Sequence, residues 1–220
     1  MNVFIWALVG YAAGTLPSAW LAAVGSGKRM VLAMVRRTVG EDDAHVVLKA
    51  SGGRAATVAA VLDVVKGFVP VLIAVQFAGP YEIAACAIGA LVGHCWPPFL
   101  YAYAGRGLAA AAGTFLAFLP VEMVLAGIIR VIGDRLKIGG LSSTIGYVAI
   151  PLVAWWRGQP APYVVAAVAI NVLIFTRRLE GISEDIAGGA RPMRAAVRRI
   201  VLDASSPTED GISVQIFPSE

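Results

Sequence analysis

Residues 107–132 read GLAAAAGTFLAFLPVEMVLAGIIRVI, and the fold turns on whether this stretch is one helix or two. A hydrocarbon slab of ~30 Å takes about 20 helical residues per crossing, so one tilted helix would fit. Pro120 argues for two helices, because proline has no N–H to give and its ring collides with the preceding turn; Glu122 follows two residues later. Around this stretch, apolar runs occupy 2–24, 55–78, 83–103, 139–156 and 160–176, separated by Gly, Pro and charge. The basic residues decide the matter. Lys28, Arg29, Arg36, Arg37, Lys49 and Arg54 form one group, Arg106 stands alone, and Arg130, Arg135 and Lys137 form another group. Arg157 also stands alone, and Arg177, Arg178, Arg191, Arg194, Arg198 and Arg199 lie in the tail. With one helix, six crossings leave 8 and 9 of these on the two sides; with two helices, seven crossings leave 16 and 1. Lys and Arg gather on the cytoplasmic side of membrane proteins. The sequence therefore predicts an all-α, polytopic integral membrane protein, a seven-helix transmembrane bundle with its N-terminus outside and its C-terminus cytoplasmic.

Composition points the same way. Of 220 residues, 58% are hydrophobic and 15% charged, with a mean hydropathy of +0.76, whereas soluble domains carry about 25% charge. Too little polar surface is available to coat a water-soluble globule, and disorder, collagen and a disulfide scaffold are excluded by the same numbers. Cys86 and Cys95 lie in an apolar stretch and read as small buried hydrophobes. His45 and His94 are the two histidines, which argues against a multi-histidine metal site, and no metal is expected. The first apolar run lacks a basic leader and is too long for a signal peptide, so it reads as a retained span. Residues 1–186 are expected to form the transmembrane domain and 187–220 a flexible cytoplasmic tail. Within that tail, RPMRAAVRR at 191–199 is basic and suited to an anionic inner leaflet, while 203–220 is acidic with Ser and Pro. The net charge of +4 thus reflects orientation and lipid contact. Nucleic-acid binding is not expected, because no basic face is interleaved with exposed aromatics.

One motif is a decoy. GSGK at 25–28 resembles a phosphate loop, but Ala22 holds the place of the first glycine and Arg29 follows Lys28, so the Mg²⁺-binding hydroxyl is missing. The informative pieces lie near the inner face. VLKASGGRAATVAAVLDVVKG at 47–67 turns at Gly52-Gly53 and enters a span carrying Asp63 and Lys66. At i,i+3 these two share a helix face and neutralise each other, either as the lining of a site or as a packing ion pair. GHCWPPFLYAYAGRG at 93–107 places His94 inside a span, as a hydrogen-bonded interior histidine or as a catalytic one. Gly89 and Gly93 beside it predict close helix packing. Its AGRG end sets Arg106 between Gly105 and Gly107 at a helix start, where free N–H groups and a guanidinium suit a phosphate. A tight cytoplasmic turn is the other reading of that segment.

In this order the pieces resemble the bacterial acyl-phosphate:glycerol-3-phosphate acyltransferase family (PlsY), over about Gly10 to Glu184. The family's first-span glycine and Ile-Pro are similar to Gly14 to Pro17. Its Leu-Arg, Gly and Asp-x-x-Lys-Gly stretch resembles Leu48-Lys49, Gly52 or Gly53, Asp63, Lys66 and Gly67. Its Gly-His-Asn-x-Pro-x-Phe-Leu resembles residues 93–100, and its Gly-Gly-Lys-Gly helix start resembles Ala104-Gly105-Arg106-Gly107 through Gly113. Its Ser-Leu-Ser-Ser resembles Leu141-Ser142-Ser143. The resemblance implies transfer of an acyl chain from acyl phosphate to glycerol 3-phosphate, giving lysophosphatidic acid. It implies partners in membrane lipids, a bacterial plasma-membrane location with the active face cytoplasmic, and no cofactor, since acyl phosphate is already activated. Lys49, Gly105, Arg106 and Gly107 then fall at phosphate-binding positions, His94 and His45 are the candidates for acid–base chemistry, and Gly40, Asp63, Lys66, Ser142, Ser143 and Arg178 are supporting residues.

The chain also departs from the family pattern. The Ser-Gly-Asn-x-Gly-Ala-Thr-Asn motif falls on residues 39–46, where Gly40 and Ala44 are kept and Glu41, Asp42 and Asp43 bring three acids that repel a phosphate. Of the C-terminal His-x-x-Asn-Ile-x-Arg-Leu pattern, Arg178-Leu179 is kept and the histidine is absent; a one-residue shift brings Asn171 into play. Two functions remain open at this stage: an active acyltransferase, or a degenerate homologue that binds lipid or a partner. A transporter is disfavoured by the lack of an internal repeat.

Overall fold

The structure is a computed structural model that describes residues 2–27, 52–98, 107–180 and 182–202. Ten helices and no strands occur among these residues: α1 Val3–Gly14, α2 Ser18–Gly25, α3 Gly53–Phe77, α4 Pro80–Cys95, α5 Leu108–Phe118, α6 Pro120–Arg135, α7 Gly139–Trp156, α8 Ala161–Leu179, α9 Ile182–Ala187 and α10 Pro192–Leu202. Three segments are long and apolar enough to cross a membrane, namely Val3–Gly25 taken across the α1–α2 break, α3 and α8.

The 107–132 stretch divides at the proline. Leu119 leaves the helical region (φ −134°, ψ 58°), and α6 starts on Pro120, where a missing N–H leaves no helical bond unmade. The chain reverses there. Glu122 at the start of α6 meets Arg157 just after α7, while Gly133 near the end of α6 meets Ser142 near the start of α7, so these helices are antiparallel. Phe118 at the end of α5 meets Tyr163 at the start of α8, with ring centroids 5.2 Å apart. With Leu108 at the start of α5 meeting Tyr147 midway along α7, α5 runs toward the Arg157 end and α6 runs back from it.

The first apolar run, expected as a retained span, remains long and apolar enough to cross a membrane but is interrupted. It breaks after Gly14, and α2 begins at Ser18, because Pro17 cannot donate the backbone bond that would carry α1 onward.

Small residues draw the remaining helices together. A Cβ on Gly10 or Gly14 of α1 would overlap the Cys86 or Ala90 carbonyl of α4. One on Gly89 or Gly93 would overlap the Ala7 or Tyr11 carbonyl of α1. Gly67 of α3 and Gly113 of α5 interlock in the same way, against the Ala110 and Val64 carbonyls. Lipid tails give helices no solvent-driven reason to associate, so such backbone-to-backbone contact supplies the attraction. Cys86 and Cys95 are buried in the core, as expected, with Leu91, Phe115, Ile150 and Ile170. Large apolar side chains cover the outside, and Phe77, Tyr81, Trp155 and Trp156 stand exposed at the Glu122–Arg157 end. Tyr and Trp rings, with an apolar body and a polar tip, favour membrane–water interfaces.

Residues 192–202, within the tail expected to be flexible, form helix α10. It is seated by fully buried Ala195 and by Arg199, whose Nε and Nη2 lie 2.6 and 2.9 Å from the two Asp185 carboxylate oxygens.

Candidate active site

Three elements meet at the end of the bundle opposite Arg157. Helix α3 carries Asp63 and Lys66 one turn apart, α4 brings His94 near its C-terminus, and the α1–α2 break brings a backbone carbonyl. Lys66 Nζ lies 2.8 Å from Asp63 Oδ1 and donates to the Leu16 carbonyl at 2.8 Å. His94 Nδ1 lies 3.4 Å from the same Asp63 oxygen. Lys66 and His94 are buried, and charges so placed must be paired, since desolvation is costly and the low dielectric leaves no other compensation. The proline break therefore has a structural consequence, because it offers Lys66 the Leu16 carbonyl.

Gly107 sits beside this cluster in the left-handed region (φ +86°), immediately before α5. A Cβ there would stand 2.9 Å from Leu91 Cδ1, 3.1 Å from Cys95 Sγ and 3.9 Å from His94 Cδ2. Both backbone angle and space thus require glycine. The first turn of α5, with its N–H groups that lack helical partners, is consequently set next to the imidazole. Tyr147 of α7 holds that turn by donating from its hydroxyl to the Leu108 carbonyl at 2.6 Å. Asn171 of α8 in turn donates to the Tyr147 carbonyl at 2.9 Å.

Beyond His94, the Tyr11 hydroxyl donates to the Trp96 carbonyl at 3.2 Å. The Arg177 guanidinium stands over the Trp96 ring, 5.7 Å from its centroid, and pairs with Glu180. Its neighbour Arg178 points elsewhere, donating to Thr144 Oγ1 and to the Ile200 carbonyl, each at 2.6 Å. Ser142 is buried against Gly133 and returns its hydroxyl to the Gly139 carbonyl at 2.9 Å, and Ser143 is buried next to it.

The structure thus brings Asp63, Lys66, His94 and Gly107 together. Arg178 sits apart with Thr144, and Ser142 serves the α6–α7 contact. Gly40, His45, Lys49, Gly105 and Arg106 lie outside the described residues. Among the described residues, no group of three or more His, Cys, Asp or Glu side chains is placed to hold a metal ion. Sequence reasoning passed over Tyr147, Arg177 and the Leu16 carbonyl. Pro17 was a readable sign of the last, but nothing local announces a Tyr147 contact made to a residue 39 positions away.

Fold and cluster define a class: an integral membrane protein, all-helical over the described residues, with a largely buried Asp–Lys–His group beside a glycine-led helix start. Comparison with known proteins gives the particular family. The family model for glycerol-3-phosphate acyltransferase matches residues 4–188. The chain is 33% identical over 177 residues to the glycerol-3-phosphate acyltransferase of Rubrobacter xylanophilus, covering 79% of this chain and 86% of that protein. It is 34% identical over 177 residues to the one from Erythrobacter litoralis, covering 76% and 84%. It superposes on the crystal structure of PlsY, an integral membrane glycerol 3-phosphate acyltransferase, in its glycerol 3-phosphate form, with a TM-score of 0.70 and 25% identity over 86% of this chain and 94% of that one. The chain belongs to the glycerol-3-phosphate acyltransferase family.

Proposed function

We propose that this chain is a membrane acyltransferase of phospholipid synthesis that moves an acyl group from acyl phosphate to the 1-hydroxyl of glycerol 3-phosphate. The observation that carries the reading is the Asp63–His94 contact, 3.4 Å long, beside the α5 start and within the family-matched residues. The hydroxyl oxygen attacks the acyl carbonyl carbon, a C–O bond forms, and the bond from that carbon to the phosphate oxygen breaks. Lysophosphatidic acid and inorganic phosphate result. The hydroxyl proton passes to the His94 Nε2 edge, which is directed away from Asp63, and Asp63 stabilises the imidazolium. Lys66 acts as a positioning residue, since its ammonium is engaged by Asp63 and the Leu16 carbonyl. Arg106, Lys49, Gly105 and the N–H groups following Gly107 hold phosphate oxygens, and His45 and Gly40 are the further candidates that the family resemblance singles out.

The same reading includes seven crossings, with the N-terminus outside and this site on the cytoplasmic face. The 16-to-1 partition of basic residues and the reversal at Leu119–Pro120 support it. Residues 1–186 then form the catalytic bundle and 187–220 a cytoplasmic extension.

The test uses the purified full chain in lipid mesophase, supplied with acyl phosphate and glycerol 3-phosphate, with phosphate and lysophosphatidic acid followed together. The two products appear in equal amounts, and Arg106→Ala loses turnover by about 10²-fold, the scale for removing one donor to a reacting centre. Hydrolysis of acyl phosphate without an acylated product points to another acceptor. No turnover from a folded bundle makes this a lipid- or partner-binding homologue, the reading to which residues Glu41–Asp43 and the lost C-terminal histidine lend weight.

A further inference from the structure

Helix α10 lies beyond the family-matched residues, which end at 188, yet it is fastened to the bundle on three counts. Arg199 engages Asp185 through two nitrogens and donates to the Glu180 carbonyl at 2.5 Å. The Thr144 hydroxyl oxygen lies 3.1 Å from both the Ile200 and Val201 carbonyls, within reach to share its one proton with them. Arg178 donates to the Ile200 carbonyl at 2.6 Å. These contacts lay α10 across the end of the bundle where α7 begins and α8 finishes, which is where those helices meet the edge of the bilayer.

What the fastening leaves outward is chemically consistent. Arg191, Arg194, Met193 and Val197 are exposed, Met193 at 77%. No Asp or Glu occurs between 186 and 202. An exposed face of guanidinium and apolar side chains, with no acid, at the edge of a membrane-spanning bundle matches one partner, a lipid surface bearing anionic headgroups. The guanidiniums pair with phosphate oxygens while the apolar side chains enter the acyl boundary. We infer that α10 is a docking surface for anionic lipid headgroups, held at a fixed height by Arg178 and Thr144. The inference rests on α7 and α8 crossing the bilayer as proposed above, and it is independent of the acyl-transfer reaction.

The experiment exploits the burial of both native cysteines. Met193→Cys in the full chain is labelled with an environment-sensitive dye and placed in nanodiscs of phosphatidylcholine alone or with a rising fraction of phosphatidylglycerol. The dye emission shifts to the blue as the anionic fraction rises, and high salt reverses the shift because charge pairing at a surface is screened. Arg191→Gln with Arg194→Gln weakens the response by about fivefold per arginine in the docked-to-free ratio; neither residue is among those that fasten α10. The salt titration of the labelled parent stands on its own if the double variant folds poorly. Emission that is blue-shifted equally in both lipids would overturn the anionic preference. Emission typical of water in every lipid would overturn docking altogether and would also count against the topology, whereas a charge-dependent shift in a chain without turnover would leave the inference standing and remove the acyltransferase reading.

Discussion

Asp63 and Glu122 are both helical carboxylates withdrawn from water, each beside a cation, and they sit at opposite ends of the bundle. Glu122 is 1% exposed, with Oε1 2.7 Å from Arg157 Nη1, while Oε2 has no hydrogen-bond partner among the described residues. Its surroundings are the Pro120 turn and the apolar flank of α7. Asp63 shares one oxygen between Lys66 and His94, in a place where a helix is broken and where a glycine-led helix begins. An ion pair by itself can close a fold. Chemistry needs a group that changes protonation, a carboxylate that orients it, and backbone donors left without helical partners; the Asp63 end has all three, whereas the Glu122 end, where α6 also begins, has the ion pair but no histidine among the described residues.

Four substitutions break or sharpen that contrast. The largest effect is expected from Gly113→Leu, which drives a side chain into the Val64 carbonyl of α3. Both ends should fail together at a cost above ~3 kcal/mol, seen as loss of the monodisperse folded protein in detergent. Next, His94→Gln, which fills most of the same space and can still hydrogen-bond to Asp63, should lower kcat by about 10²-fold with a much smaller loss of Tm; a loss of Tm with turnover per folded molecule intact would make the cluster a packing element instead. Glu122→Ala should do the reverse, costing about 2 kcal/mol of stability with turnover per folded molecule intact. The cost stays at this level because Arg157, at 35% side-chain exposure, can still reach water. The smallest effect is expected from Thr144→Val, which removes the acceptor of Arg178 and the donor to α10. It should cost ~1 kcal/mol, read as faster hydrogen exchange in 192–202 with turnover retained.

Much of the fold is legible because the bilayer makes sequence informative. Pro120 is visible as a helix break, and only the count of basic residues turns that break into a reversal. Asp63 and Lys66 are legible as a pair because i,i+3 spacing alone puts them on one face, and Gly89 and Gly93 are legible as contact residues for the same local reason. The α1–α2 break was less visible. Pro17 is in plain view, but the role of the break becomes intelligible only once Lys66 is seen donating to the Leu16 carbonyl. Arg178 shows the limit of motif reasoning: the motif singles out the residue, but its guanidinium turns to Thr144 and Ile200, and Arg177 is the arginine that stands over Trp96.

Apolar content, the spacing of basic residues and Pro120 depend on composition and nearest neighbours, so the amino-acid order by itself determined that this is a helical membrane protein and that the 107–132 stretch is two helices. Which side chains from distant helices would share a polar pocket depended on how closely the backbones approach. That distance is set by Gly10, Gly14, Gly67, Gly89, Gly93 and Gly113 pressing on carbonyls far away in sequence. Only the tertiary structure decided that His94 would rest against Asp63, that Tyr147 would hold the first turn of α5, and that the C-terminal helix would close over Arg178.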